Sequence, residues 1–306
     1  MTDRHNVAFA TDSSYLPWAT VAATSFAQHY SGAHLDVHLL VDDGVDERGL
    51  ERVRSAVDDV SQGRATVVTH DVGTATELEG LPTVGRFGTV VWRRLLLPDL
   101  VRDGDRVLYL DADTLTVADP LPLLEADLQG QPIGAVVNVS ETSHWDRLTA
   151  LGLLDPASAF NSGVLLMDLD SIGRDELPGR ARDVAAVLSG RVVWPDQEVL
   201  NVLFAGRWAQ LDLAFNSQAS LIEWPTLAAT FVTEERRAAA VAKPVIVHFE
   251  GPDDCKPWHP LSQHPHADAH RRLATRLGVA GGAATDRKST RLNSSHKHRS
   301  RMPSSA

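Results

Sequence analysis

The chain has 306 residues, 43% hydrophobic and 23% charged, and its 29 Lys and Arg against 40 Asp and Glu give a formal net charge of −11. That composition describes a globular chain of one large or two small domains. Its acidity disfavours broad binding to nucleic acid or anionic lipid, so an anionic ligand must be held locally by a metal or a few placed cations. The single cysteine, Cys255, excludes an internal disulfide framework and a multi-thiolate zinc site, and it allows a reducing compartment.

Met1 to Asn6 reach a short apolar run without the layout of a secretory signal, and no stretch approaches the roughly 18 apolar residues that span a bilayer. A cytoplasmic protein without a transmembrane segment is expected, at most peripheral to a membrane. Short β-branched runs then alternate with amphipathic stretches, the pattern of βαβ units around a mainly parallel sheet. Strands are predicted at Val7 to Ala10, Asp36 to Val41, Ala65 to Thr69 and Arg106 to Leu110. Helical spacing runs from Tyr15 to Tyr30 and from Asp46 to Val60, and predicts a further helix over Thr89 to Leu97 that Pro98 stops. Further strands fall at Ile133 to Val137, Gly163 to Leu169 and Pro244 to Phe249, with helices at Gly179 to Ser189 and Asp196 to Phe204.

Residues 1–280 are therefore expected to form one extended α/β domain with an added subregion, and 281–306 a disordered tail. From Asp286 the tail is basic, almost without apolar residues and aperiodic. Its DRKSTRLNSSH resembles the conceptual translation of a common sequencing adapter, so 286–306 is set aside from fold reasoning. The remaining 285 residues hold 23 Lys and Arg against 39 Asp and Glu, a formal charge of −16. A body this acidic needs a cation to accept a diphosphate.

The strongest chemical feature is Asp111-Ala112-Asp113, directly after the strand-like Val107 to Leu110. Side chains alternate along an extended segment, so two carboxylates at i and i+2 project together from the strand's C-terminal end, where α/β sheets hold ligands. Such a pair can ligate a divalent cation that also binds a diphosphate.

With this motif the sequence resembles the family 8 retaining glycosyltransferases, which include bacterial lipopolysaccharide galactosyl- and glucosyltransferases and glycogenin. Five motifs in family order carry the resemblance over about Asn6 to Trp258: AFATDSSY, RVLYLDADTLTVADPLPL, FNSGVLLMDL, WPDQEVLN, and IVHFEG with a nearby KPWH. The resemblance implies a nucleotide-diphosphosugar transferase fold of the A type (GT-A), with a Rossmann-like mixed sheet. It implies Asp111, Asp113 and His248 as ligands of Mn2+ or Mg2+, and a UDP-sugar, UDP-glucose or UDP-galactose, as donor. Lys256 and Gly251 match the diphosphate-side lysine and its close-approach glycine, although Asp253-Asp254-Cys255 makes that loop longer than in the bacterial members. Ala10, Asp12, Ser14 and Tyr15 match the uridine-binding turn, Ala112 lies within the metal motif, and Arg94 matches an arginine near the donor sugar and phosphate. Asn138, Asn161, Asp196 and Gln197 match positions around the donor sugar, with Gln197 against the anomeric face.

Each residue also has a structural reading. Asp12, Ser13 and Asp196 are good helix N-caps, His248 suits a hydrogen-bonded core, Asn161-Ser162-Gly163 suits a turn, and Arg93 suits a solvated helix face. Trp145 and Trp224 are either acceptor walls or core or subunit-interface residues of a homo-oligomer. None of the three tyrosines resembles a mobile self-glycosylation acceptor, so an external glycan, glycolipid or small-molecule hydroxyl is expected. The other readings of the chain are a UDP-sugar hydrolase and a non-catalytic nucleotide-sugar-binding protein.

Overall fold

A computed structural model describes residues 4–84, 88–140, 145–155, 158–173, 176–188 and 192–279. The basic tail lies outside them. Among the described residues ten strands form two sheets: β1 Arg4–Ala10, β2 His34–Val41, β3 Ala65–Asp71, β4 Arg106–Leu110, β5 Thr114–Thr116, β6 Ile133–Val137, β7 Phe160–Asp168, β8 Trp208–Gln210, β9 Ser217–Gln218 and β10 Ile246–His248. The larger sheet has the order β3-β2-β1-β4-β7-β6-β8 and the smaller the order β5-β10-β9.

The left half of the large sheet is parallel, as the βαβ rhythm implies. The sheet as a whole is mixed, because β7 runs antiparallel to both β4 and β6. This reversal serves the site directly. β7 begins beside the end of β4, pairing Val164 with Leu110, and the Asp111 N–H donates to the Gly163 carbonyl at 2.9 Å. A parallel β7 would carry its N-terminal residues to the opposite edge.

Alternate residues of the central strands enter different cores. Val7, Phe9, Leu108 and Leu110 pack on one face, and Ala8, Ala10, Val107 and Tyr109 on the other. The helix Leu16–His29 is apolar nearly all round because it is covered almost all round, with Leu16, Trp18 to Ala27 all buried. The helix Glu47–Ser61 is amphipathic, burying Leu50, Val53, Ala56 and Val57. Asp46 caps it by accepting from the Gly49 N–H at 2.8 Å, and Gln62 ends it in the left-handed region. Among the described residues no helix is long and apolar enough to cross a membrane.

Two local expectations change. Thr89–Leu96 is a 3-10 segment, and Pro98, instead of ending a helix, stands in the first turn of the short helix Leu97–Leu100. The first turn needs no N–H from it, which is why proline is tolerated there. The sequence patterning also did not reveal β8 and β9 or the helices Trp145–Ala150, Glu234–Ala242 and Ala267–Arg276. The two strands are short, Glu234–Ala242 buries only Ala240, and Ala267–Arg276 is mainly polar with one stripe of buried residues.

Leu108 is fully buried in the strand that carries Asp111. Leu108→Ala is expected to lower unfolding stability by about 2–5 kcal/mol, the usual cost of a truncated core leucine, whereas Leu261→Ala stays within about 0.5 kcal/mol. Leu261 is 73% exposed, and urea unfolding of the two variants checks the contrast.

Candidate active site

The Asp111 to Asp113 segment is a turn joining β4 of the large sheet to β5 of the small one. The two carboxylates therefore meet through a bend and not through strand alternation. Thr114 Oγ1 donates to the Asp111 carbonyl at 2.8 Å, and the Phe249 N–H donates to the Asp113 carbonyl at 3.0 Å. These bonds fix the turn against the strand that delivers His248. In antiparallel register His248 pairs with Thr114, and its Nε2 lies 3.3 Å from Asp113 Oδ1 and 3.8 Å from Asp111 Oδ2.

The histidine's orientation follows from a chain of hydrogen bonds. Asn216 Nδ2 donates to Asn161 Oδ1 at 2.9 Å, so the Asn216 amide oxygen faces His248 Nδ1, 3.1 Å away, and accepts from it. A neutral ring that donates through Nδ1 turns a lone pair on Nε2 toward two carboxylates, an arrangement that calls for a cation between them. Burial alone would lower the His248 pKa, and the Asp113 and Asp111 carboxylates reverse that and raise it. Ligand atoms of Asp111, Asp113 and His248 all lie within 4.8 Å of one another. Space is kept open by Gly163, where an added Cβ would stand 2.2 Å from His248 Cε1 and 2.8 Å from Asp111 Oδ2. Two carboxylates and an imidazole around a guarded space fit a divalent ion such as Mn2+.

Lys256 joins the same cluster. Its Nζ donates to Asp113 Oδ2 at 2.5 Å and to the Phe249 carbonyl at 2.8 Å. Burial would raise the Asp113 carboxyl, but Lys256 and His248 outweigh it and hold the group well below the usual carboxylate range. The longer loop does not carry Lys256 away, because the short 3-10 turn Asp253–Cys255 takes up the extra residues. Gly251 adopts φ +100, a region L side chains rarely enter, and this allows the chain to turn out of β10 toward that lysine. Behind the lysine, Trp258 stacks on Trp18 with centroids 4.4 Å apart and meets Tyr15 edge-on at 5.9 Å. Arg271, on the helix Ala267–Arg276, donates to the Pro257 carbonyl at 3.0 Å. The aromatic pile thus links the loop bearing Lys256 to the turn bearing Tyr15.

Arg94 is buried, and its guanidinium is spent within the protein. It donates to the carbonyls of Val91 and Ser162 and pairs with Asp111 Oδ1 at 3.0 Å and Asp196 Oδ2 at 3.1 Å. Its carbon sits 4.1 Å from the centre of the Tyr109 ring, whose hydroxyl donates to Asp111 Oδ1 at 2.9 Å. Arg93, read from the sequence as a solvated cation, is buried as well, bonding the Thr11 carbonyl and Asp42 Oδ2. Neighbouring residues of a 3-10 turn point in different directions, and here both directions are covered.

Asp196 is not the cap of the helix Pro195–Leu203. The helix has no side-chain cap, and Glu198 Oε1 instead ties the approach to it, accepting from the Val193 and Trp194 N–H groups at 2.7 and 3.0 Å. Asp196 instead takes the Ser162 hydroxyl at 3.2 Å beside Arg94, and burial raises its pKa against the pull of that arginine. Gln197 Oε1 accepts from the Ser162 N–H at 3.0 Å, and Asn161 Oδ1 from the Gly163 N–H at 3.0 Å. Asp12 does tie its own turn, accepting through Oδ1 from the Ser14 and Tyr15 N–H groups at 2.9 Å and from the Ser14 hydroxyl.

One cavity of about 320 Å³ brings these groups together. Its wall includes Ala10, Asp12, Ser14, Tyr15, Arg94, Asp111, Ala112, Asp113, Asn161, Asp196, Gln197, His248, Gly251 and Lys256. Asn138 is not on that wall. It is buried behind Ser140, whose hydroxyl donates to Asn138 Oδ1 at 2.9 Å and which lines the cavity in its place. Trp145 is 1% exposed and belongs to the core, so its acceptor-wall reading falls. Sequence reasoning missed Tyr109, Ser162, Trp194 and Glu250 on the wall. Each is a neighbour of a motif residue, and its direction was the only missing fact.

Two substitutions test this geometry. Gly163→Ala is expected to weaken Mn2+ binding at least tenfold while the protein stays folded, since the new methyl must displace His248 or Asp111. Manganese titration followed by water-proton relaxation reads it. Trp258→Ala is expected to weaken UDP binding about tenfold, a partial loss typical of a disturbed supporting residue, whereas Trp258→Phe recovers most of it. Calorimetric titration with UDP separates the two.

The family model of glycosyl transferase family 8 matches residues 6–262. The chain is 26% identical over 263 residues to lipopolysaccharide glucosyltransferase WaaO of Escherichia coli K12, covering 83% of this chain and 72% of that protein. It is 25% identical over 273 residues to lipopolysaccharide 1,3-galactosyltransferase of Salmonella typhimurium, covering 86% and 75%. The crystal structure of galactosyltransferase LgtC with donor and acceptor sugar analogs superposes with a TM-score of 0.75 at 24% identity, covering 89% of this chain and 96% of that one. The mixed sheet therefore has the GT-A fold, and, with the family matched over most of its length, the chain belongs to glycosyl transferase family 8 and is a glycosyltransferase.

Proposed function

We propose that the protein transfers glucose or galactose from a UDP-sugar, with retention of configuration, to a hydroxyl of a glycan, glycolipid or small molecule. The observation that carries this reading is the convergence of the Asp111, Asp113 and His248 cluster, Lys256 and the Asp12 to Tyr15 turn on one cavity. The lipopolysaccharide substrates in the names of two relatives favour a sugar of a bacterial surface glycan as acceptor. A UDP-sugar donor and the free thiol of Cys255 fit a cytoplasmic site of action.

Held by Asp111, Asp113 and His248, a manganese or magnesium ion supplies Lewis-acid charge that stabilises the leaving diphosphate. Lys256 adds a fixed positive charge on the same group, in a setting where charge is poorly screened. Asp12 spends one oxygen on its own turn, which leaves the other for the N3 proton of uracil, and Tyr15 offers a ring face for the base. Asn161 and Asp196 orient donor-sugar hydroxyls. Gln197 sets an amide dipole against the anomeric carbon as positive charge develops there.

Asp196 acts by positioning. Its Oδ2 is held by Arg94 and Ser162, so it is tied back and poorly placed as a free nucleophile. Retention then comes from attack on the face that the leaving group departs from. The acceptor oxygen bonds to the anomeric carbon, the bond from that carbon to the UDP oxygen breaks, and the departing phosphate oxygen takes the hydroxyl proton.

Asp111→Asn and Asp113→Asn are each expected to lower manganese-dependent transfer by more than about 100-fold, beyond what the loss of an outer-shell partner costs. The assay is UDP release from UDP-glucose and UDP-galactose, run with and without chelator, together with the anomeric configuration of the product. Full activity in either variant would remove the metal assignment, and an inverted product would remove the retaining one.

A further inference from the structure

The charged groups on the cavity wall are all used by this reading except Glu250. It follows His248 by two residues, lines the cavity, and accepts through Oε1 from the Ser220 N–H at 3.1 Å and from the Ser220 hydroxyl. Among the described residues it forms no ion pair.

The charge balance around it is uneven. Five carboxylates, Asp12, Asp111, Asp113, Asp196 and Glu250, share the wall with two fixed cations, Arg94 and Lys256. Arg94 is consumed by Asp111 and Asp196, and Lys256 bonds Asp113. A divalent cation and the diphosphate of a UDP-sugar bring equal and opposite charge, so the negative surplus persists once the donor is loaded. Asp12 spends an oxygen on its own turn, whereas Glu250 stands on the wall next to Gly251. There Trp224, 41% exposed, brings its ring edge to 4.0 Å from where a Cβ on Gly251 would stand. A carboxylate that accepts from hydroxyls or an ammonium, beside an exposed indole that covers a sugar's C–H face, is chemistry suited to a carbohydrate.

We propose that Glu250, with Trp224 beside Gly251 just outside the cavity lining, forms the acceptor end of the cavity, and that Glu250 selects the acceptor by charge. A neutral or amine-bearing sugar is taken, and one carrying a carboxylate or phosphate near its reacting hydroxyl is refused. The proposal rests on the transferase reading of this cavity and adds the substrate class to it. The bond to Ser220 also caps the short helix Ser220–Glu223. Glutamine keeps that accepting oxygen and removes only the charge, so a purely structural role predicts no change of selectivity in Glu250→Gln.

The test uses three probes on one sugar ring: neutral p-nitrophenyl glucoside, the glucosaminide with an amine at C2 and the glucuronide with a carboxylate at C6. For the wild-type chain the acceptor-dependent rate of UDP release is expected to be about tenfold higher for the first two than for the glucuronide, the size of one weakly screened unit charge at short range. Glu250→Gln narrows that ratio to about threefold or less, as a smaller residual field from the other carboxylates requires. Binding of the same glycosides to protein with UDP and manganese, followed by saturation-transfer NMR, is the second readout and needs no turnover. Equal use and equal binding of the glucuronide by the wild type, or unchanged selectivity in Glu250→Gln, overturns the proposal. Binding in the charge order without sugar transfer upholds this subsite and overturns the transferase reading. Transfer without the charge order does the reverse.

Discussion

Two carboxylates in a tight turn at the heart of an acidic protein have to be neutralised, and most of the site is built around that requirement. Asp111 and Asp113 face His248, Lys256 and Arg94, each delivered by a different part of the chain. The cost of burying such charge is large unless every member is paired. The pairing is shared out so that Arg94 and Tyr109 hold one aspartate while Lys256 and His248 hold the other. One side of the cluster remains open onto the cavity, and Gly163 keeps it open by having no side chain.

The fold supplies those partners through its single reversal of direction. Because β7 enters antiparallel beside β4, the Asn161 to Gly163 stretch starts where the Asp111 turn begins, and Ser162 reaches both Asp196 and Gln197. The small sheet completes the arrangement by stitching β10 to β5, which sets His248 opposite the same turn. A mixed sheet and a small accessory sheet are thus the means by which residues far apart in sequence meet within a few ångströms. The helix Ala267–Arg276 closes the assembly from outside through Arg271, whose bond to Pro257 steadies the loop after Lys256.

Much of this was legible in the amino-acid order. The strands β1, β2, β4 and β6 announce themselves by short β-branched runs, and the helix Glu47–Ser61 by its apolar spacing and its Asp46 cap. The D-x-D after an apolar strand points to a metal, and the resemblance carried by the ordered motifs around it implies a nucleotide-sugar. What misled was direction. Arg93 reads as a surface cation and Asn138 as a sugar contact, yet both side chains are buried, and of the two readings open for Trp145 the structure takes the core one. Glu198 ties the chain just before the helix Pro195–Leu203, and Asp196 does not cap that helix but pairs with Arg94 and Ser162.

The sequence by itself determined the chemistry on offer: an acidic body, a pair of aspartates, one histidine and one lysine of the right kind, and a chain whose rhythm makes an α/β sheet. Those are local properties, carried by residue type and short-range spacing. Only the tertiary structure decided which charges meet, that the aspartates converge through a turn, that Arg94 is spent on Asp111 and Asp196, and that Glu250 stands on the wall bonded to Ser220. Such facts depend on contacts between residues as distant as Asp113 and Lys256. Charge pairing across that separation is a matter of three-dimensional distance, which residue spacing along the chain does not encode.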